Sequence, residues 1–203
     1  MMQNIKLGIL ASHYGSNLQA ILDACDLGEI QAEVSVVISN NSNSMALKRS
    51  NKKNIPGFHI SNHTHPNFLL QDKEIKKILK KHKVNLVILA GYMKKLGPEV
   101  LKYFHKKIIN IHPSLLPKYG GKGMYGANVH REVIKSNEKF TGISIHIVEE
   151  EYDSGPIIAQ IKISIDKNDN VDSLNKKVSS IEHKFYVKTI QEIISGKINL
   201  NNL

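Results

Sequence analysis

The sequence predicts an α/β fold built on an open, twisted, mostly parallel sheet flanked by helices, with an antiparallel C-terminal part. Three observations carry this expectation. Short apolar runs rich in β-branched residues alternate with longer stretches at helical spacing, as repeated βαβ units require. The run from Val84 to Ala90 is almost continuously apolar, as a strand buried on both faces must be. Beyond residue 140 the pattern changes to strict alternation, the mark of half-exposed strands and antiparallel pairing.

The elements follow in order. The first strand is expected from Leu7 to Ala11, and its helix follows at once, because Leu18, Ile21, Leu22 and Cys25 fall at i, i+3, i+4 and i+7 on one face. Val34 to Ile38 reads as the next strand and Ser44 to Lys53 as the next helix. A helix bearing Phe68, Leu69, Ile75, Ile78 and Leu79 then leads into the run at Val84. Ile108 to Ile111 is a further strand, stopped by Pro113, which has no N–H for a ladder. Ile143, Ile145 and Ile147 alternate with Ser144, His146 and Val148, and Ile161, Ile163 and Ile165 with Lys162 and Ser164, giving two half-exposed strands. The last helix carries Val171, Leu174, Val178, Ile181 and Phe185, then Ile190 and Ile194, on a 3-to-4 spacing. The Asn-rich tail from Asn199 is expected to fray.

At 203 residues the chain has the length of one domain, and residues 1–203 are read as such. A chain of this mass buries roughly 70% of the surface its unfolded form exposes, so a core holds it without metal or disulfide staples. The single cysteine, Cys25, cannot form an internal bridge. No apolar run approaches membrane-spanning length, and the N-terminus lacks a charged region followed by an apolar one, so a cytoplasmic protein is expected. The net charge is +10, but the lysines are scattered along helical stretches such as 73–83 without interleaved aromatics. The excess therefore reads as a solvated surface rather than a nucleic-acid face.

Three segments can do chemistry. Ala11-Ser12-His13-Tyr14-Gly15-Ser16-Asn17 joins the first strand to its helix, where free N–H groups and the helix dipole favour an anion. It also lies at the carboxyl end of a strand, where open α/β sheets bind ligands. It is neither a Walker loop nor G-x-G-x-x-G; Gly15 supplies a permissive backbone and Ser16 is the expected N-cap. In Asn110-Ile111-His112-Pro113-Ser114, Asn110 and His112 project to one side of the strand while Ile111 faces away. A carboxamide beside an imidazole suits oxyanion stabilisation and proton movement, although a turn-capping Asn and a satisfied His are the commoner origin of such a pair. The acidic loop Glu149-Glu150-Glu151-Tyr152-Asp153-Ser154-Gly155-Pro156 offers a proton-handling carboxylate between two strands. His59, His63 and His65 surround a loop with no acidic or thiolate companion, so no metal site is expected.

Together these segments resemble the phosphoribosylglycinamide formyltransferases, a branch of the folate-dependent formyltransferases. The resemblance runs from Gly8 to about Ile194. It is most specific in Gly15-Ser16-Asn17-Leu18-Gln19-Ala20, Leu89-Ala90-Gly91-Tyr92-Met93, Asn110 to Tyr119, and Asp153-Ser154-Gly155-Pro156-Ile157-Ile158. It implies a Rossmann-like formyltransferase fold and transfer of a formyl group from 10-formyltetrahydrofolate, as co-substrate, to the amine of 5-phosphoribosylglycinamide in purine biosynthesis. By this resemblance Asn110, His112 and Asp153 are catalytic. Gly15, Ser16 and Asn17 grip the ribonucleotide phosphate, and Glu182 contacts the glycinamide end. Met93, Lys94, Lys95 and Leu96 line the folate pocket together with Asn110, and Glu149, Glu150 and Tyr152 close over it. The phosphate site is thereby assigned to the N-terminal part and the folate site to the C-terminal part.

Opposite charge on Asp153 is expected to keep His112 protonated. The partners implied are small molecules, without nucleic acid, membrane or metal, and the protein is expected as a monomer or weak homodimer. The chain departs from the family pattern at His13-Tyr14, where many relatives have Gly-Asn, at Lys94, where relatives often have Arg, and in its glycine-rich loop from Gly120 to Gly126. Rival readings are a methionyl-tRNA formyltransferase, a formyltetrahydrofolate hydrolase and a non-catalytic ribonucleotide binder. The first two usually carry an additional domain for which this sequence leaves no room, and the third has no need of Asn110, His112 and Asp153.

Overall fold

A computed structural model of the chain describes residues 5–203. Seven strands form one sheet in the order β3-β2-β1-β4-β5-β6-β7. β1 (Ile5–Leu10), β2 (Ala32–Ser39), β3 (Gly57–His59), β4 (Leu86–Leu89) and β5 (Ile108–His112) run parallel. β6 (Phe140–Ile147) and β7 (Ile157–Ser164) continue the sheet in antiparallel sense. The helices are α1 (Ser16–Asp26), α2 (Met45–Lys52), α3 (Phe68–Lys81), α4 (Pro98–Tyr103), α5 (Ala127–Lys135) and α6 (Val171–Ile194).

Alternate residues of a strand point to opposite faces, so the central strands feed two cores. Leu7 and Ile9 of β1 and Ile109 and Ile111 of β5 pack with Leu18 and Ile21 of α1 and Leu174, Val178 and Ile190 of α6. On the other face Leu10, Val87 and Ile108 pack with Ile75, Ile78 and Leu79 of α3 and with Val100 and Phe104 at α4. The Tyr186 hydroxyl of α6 donates to the carbonyls of Leu89 (3.1 Å) and Ile109 (3.2 Å), pinning the long helix across β4 and β5.

Several expectations are corrected. β6 is not half-exposed: every residue from Thr141 to Ile147 is buried, because β5 and β7 flank it and side chains cover both its faces. Phe68 and Leu69 do not join the core; both are about half exposed on the first turn of α3, and only its later turns reach the sheet. The tail does not fray, since residues Leu200–Asn202 form a 3-10 turn that buries Leu200. Three short elements, β3, α4 and α5, escape the periodicity.

The start of α4 is held by a residue remote in sequence. Gly97 takes the N-cap position and provides no side-chain cap. The carboxylate of Asp72, buried on α3, instead accepts from the N–H groups of Gly97, Glu99 and Val100 at 3.1, 2.7 and 3.2 Å. A Cβ on residue 97 would sit 2.3 Å from Asp72 Cγ, so the approach demands glycine. Asp72→Ala leaves three helix-terminal donors without this partner, two of them buried, and should cost about 3 kcal/mol. The midpoint of urea unfolding checks this, and an unchanged midpoint would remove Asp72 from the account.

Candidate active site

Register brings the site together. Leu10 pairs with Leu89, and Leu89 with Asn110, so β1 and β4 end level with the middle of β5. The loops leaving β1 and β4 and the upper half of β5 open on a cavity of about 610 Å³. Gly15, Ser16, Asn17, Met93, Lys94, Lys95, Leu96, Asn110, His112, Glu149, Glu150, Tyr152, Asp153 and Glu182, the whole set expected from the sequence, line it. His59, His63 and His65 do not.

At the turn after β1, the N-cap of α1 is Gly15 and not Ser16, which is already helical. Gly15 is left-handed (φ 64°), and a Cβ there would lie 3.0 Å from the Ala46 Cα of α2. No side chain caps α1, so its first N–H groups are left without a side-chain partner at the cavity wall, as an anion requires. His13 and Tyr14 are exposed, and the turn they form is braced from α2: Arg49 donates from Nε to the Tyr14 carbonyl (3.0 Å) and from Nη1 to Gln19 Oε1 (2.6 Å).

Ser12 joins this turn to the segment after β4. Fully buried, its hydroxyl donates to Asn40 Oδ1 (2.5 Å) and accepts from the Met93 N–H (2.8 Å), while its own N–H donates to the Gly91 carbonyl (3.0 Å). The turn after β1 and the Met93–Leu96 segment are thus joined through one hydroxyl. Of that second set, Leu96 is chiefly core, being 4% exposed, whereas Met93 and Lys94 are exposed at the cavity. Lys95 reaches across to the acidic loop, 3.4 Å from Glu151 Oε1 and 5.9 Å from the Tyr152 ring centre.

The reactive groups lie on β5, β6 and the loop after β6. Asn110 and His112 project to the same face of β5, and the antiparallel register sets His146 opposite Asn110 and Ser144 opposite His112. Asn110 Nδ2 is 3.1 Å from His146 Nε2, whose Nδ1 donates to the Ile147 carbonyl at 2.8 Å. His112, 4% exposed, donates from Nε2 to the Tyr119 carbonyl at 2.7 Å. Ser144 shapes that loop by accepting from the Leu116 N–H (3.0 Å) and donating to the Ser114 carbonyl (2.6 Å). Asp153, held left-handed (φ 54°), places one carboxylate oxygen 3.5 Å from His112 Nδ1 and the other 3.5 Å from His146 Nε2, and accepts from the Gly121 N–H at 2.8 Å.

Electrostatics correct one expectation. Burial pushes the His112 imidazole below its ordinary pKa, and this outweighs the attraction of Asp153 and the Tyr119 carbonyl, so His112 is neutral at rest and not protonated. Burial also works to raise the Asp153 carboxyl, but the His146 hydrogen bond, the electrostatic pull of the adjacent His112 ring and the Gly121 N–H together hold it below the usual carboxylate range. Glu182 goes the other way: burial raises it in spite of the hydrogen bond it accepts from Asn17 Nδ2 at 2.6 Å. Glu182 and Asn17 thus meet from opposite ends of the chain. Nothing in the sequence assigns a role in the site to His146, Ser12 or Ser144 individually. Only the alternation of β6 pointed to His146, by setting it on the same face as Ser144.

This geometry is that of a formyl transferase, and the family described as Formyl transferase matches residues 5–190. The phosphoribosylglycinamide formyltransferase of Haemophilus influenzae is 36% identical over 97% of this chain and 91% of its own length. A chloroplastic phosphoribosylglycinamide formyltransferase of Arabidopsis thaliana is 36% identical over 95% of this chain, which spans 66% of that relative's length. The crystal structure of the Bacillus halodurans phosphoribosylglycinamide formyltransferase superposes with a TM-score of 0.88 at 34% identity, covering 96% of this chain and 98% of that one. The chain belongs to the phosphoribosylglycinamide formyltransferase family.

Proposed function

We propose that this chain, acting as one formyltransferase unit over residues 1–203, transfers the formyl group of 10-formyltetrahydrofolate to the primary amine of 5-phosphoribosylglycinamide. The observation that carries the reading is the convergence of Asn110, His112, His146 and Asp153 at one wall of a cavity that also contains the uncapped N-terminus of α1. The names of the relatives support the choice of substrates. Met93, Lys94, Lys95, Glu149, Glu150 and Tyr152 form the folate side, with Leu96 as its floor. Gly15, Ser16, Asn17 and Glu182 form the ribonucleotide side.

The amine attacks the formyl carbon and a tetrahedral oxyanion forms. Asn110 Nδ2 donates to that oxygen. The proton released from the amine passes to the Asp153 carboxylate and its imidazole neighbours, then to the departing folate nitrogen. Because His112 rests neutral, it gains positive charge only as the oxyanion gains negative charge, so the pair is stabilised in the transition state more than in the resting complex. Small molecules are the only partners this site requires, and the protein works as a monomer or weak dimer. Cytoplasmic placement rests on the lone Cys25 and on composition; among the described residues no helix is long and apolar enough to cross a membrane.

The test is direct. Loss of 10-formyltetrahydrofolate, followed by absorbance, should require the ribonucleotide and produce one formylated ribonucleotide per folate. Release of free formate at the same rate without ribonucleotide would replace transfer by hydrolysis, and formylation of methionyl-tRNA would replace the acceptor.

A further inference from the structure

The hydrogen bond from His112 to Tyr119 fixes more than the position of the ring. The Tyr119 carbonyl lies 2.7 Å from His112 Nε2, and a carbonyl oxygen has no proton to give. The ring proton of neutral His112 is therefore on Nε2 and its lone pair on Nδ1. Nδ1 is the atom that stands 3.5 Å from the Asp153 carboxylate. In the other tautomer, lone pairs on Nε2 and on the carbonyl would face each other, and Nδ1 could take up no proton. A backbone carbonyl thus decides whether the ring can accept a proton on its Asp153 side.

That carbonyl belongs to a residue in costly backbone. Tyr119 is left-handed (φ 57°), a conformation that a residue other than glycine keeps only where its surroundings over-determine it. Just before it, the Ser114 hydroxyl donates to the Lys118 carbonyl at 2.7 Å. From outside the segment a single atom holds it: Glu138 Oε1 accepts from the Tyr119 hydroxyl at 3.0 Å and from Lys118 Nζ at 2.8 Å. The Lys118 side chain is 67% exposed, so its ion pair adds little. The Tyr119 ring packs half-buried against the core, which makes its bond to Glu138 the anchor. Glu138 stands between α5 and β6 and lines no part of the cavity. It reaches the chemistry only by relay, from carboxylate to phenol and from the carbonyl of that same tyrosine to the imidazole.

We propose that Glu138 is a positioning residue: by anchoring the Tyr119 side chain it keeps the Tyr119 carbonyl on His112 Nε2, and so keeps the proton-accepting lone pair on Nδ1, facing Asp153. Its bearing on catalysis rests on the formyl-transfer reading above; its bearing on the tautomer does not. The test uses Tyr119→Phe and Glu138→Leu, which break the anchor, and Glu138→Gln, whose amide oxygen still accepts from the phenol. Two readouts are taken on each. One is nitrogen NMR of the isotope-labelled histidine rings, with the His112 signals identified by their loss in His112→Ala. The other is steady-state kinetics with each substrate varied in turn.

The wild type should show neutral His112 as the Nε2–H tautomer alone. Tyr119→Phe and Glu138→Leu should each show a mixture of tautomers and lose about tenfold in kcat, while KM for both substrates stays within about twofold. Glu138→Gln should restore the single tautomer and most of kcat. The double variant Tyr119→Phe, Glu138→Leu should lose no more than either single one, because both changes break the same bond. A purely structural role would lower the unfolding temperature and leave the tautomer alone. A pure Nε2–H tautomer in Tyr119→Phe, or losses that multiply in the double variant, overturns the proposal. If Tyr119→Phe does not fold, Glu138→Leu decides by the same tautomer reading. A wild type that holds the Nε2–H tautomer but transfers no formyl group removes the functional reading and leaves the positioning by Glu138 standing.

Discussion

Asp153→Asn lowers kcat by about a hundredfold to ten-thousandfold while both substrates still bind, the loss typical of removing a proton-transfer group. The side chain keeps its shape, so the Gly121 N–H retains an acceptor and the left-handed backbone is undisturbed. What disappears is the charge 3.5 Å from both imidazoles. His112→Ala alone should cost a similar factor. Adding it to Asp153→Asn should cost little more, because groups acting as one unit are strongly non-additive. The pH profile gives an independent reading. The wild-type carboxyl is held below the usual carboxylate range, so it stays ionised where an ordinary aspartate already takes up a proton, and the rate declines only at more acid pH than that. That acidic limb belongs to the Asp153 and histidine cluster as a whole and should be absent from the Asn variant. Losses that simply multiply, or an acidic limb that persists, would contradict the shared role.

Gly15→Val should raise KM for the ribonucleotide by about a hundredfold or more and leave KM for the folate within a few-fold. A β-branched residue in left-handed backbone is strained, by about 1–3 kcal/mol. The added side chain starts 3.0 Å from the Ala46 backbone and closes the approach to the α1 N–H groups. Steady-state kinetics with each substrate varied in turn separates the two constants. A folate KM that rises while the ribonucleotide KM holds would mean that the ligands occupy the opposite ends of the cavity.

Much of this architecture is legible in the sequence because burial is two-sided. The run in β4 is apolar throughout and those in β1 and β5 nearly so apart from Lys6 and the site residues Asn110 and His112, and α1 and α6 carry apolar stripes. The errors have local physical causes. Phe68 and Leu69 satisfy the helical period, but the first turn of α3 lies beyond the sheet, and periodicity cannot tell where a sheet ends. β6 alternates apolar and polar residues as an exposed strand does, yet its polar positions, Ser144 and His146, are buried because they hold a loop and face Asn110. Polar residues kept for a site look like residues facing water. The sequence misleads on His112 for a related reason: it shows an available carboxylate but not the desolvation that opposes it. α4 is invisible because its cap, Asp72, comes from another helix. Asn110, His112 and Asp153 were legible as candidates, whereas Glu138 and Ser12 act through contacts that no spacing announces.

The bond between Asn17 and Glu182 joins residues 165 positions apart. At about 5–20 residues per second, a ribosome needs roughly 8–33 s to make the chain between them. During that interval Leu18 and Ile21 of α1 and the facing side of β1 and β5 are without the helix that finally covers them. The emerging chain therefore carries a bare apolar sheet face for seconds, and its long-range closure comes last and slowly. The last helix is at once the lid on this core and a wall of the substrate cavity. A molecule that escapes synthesis or proteolysis without α6 is inactive and sticky together, so clearance of sticky chains also removes the inactive ones.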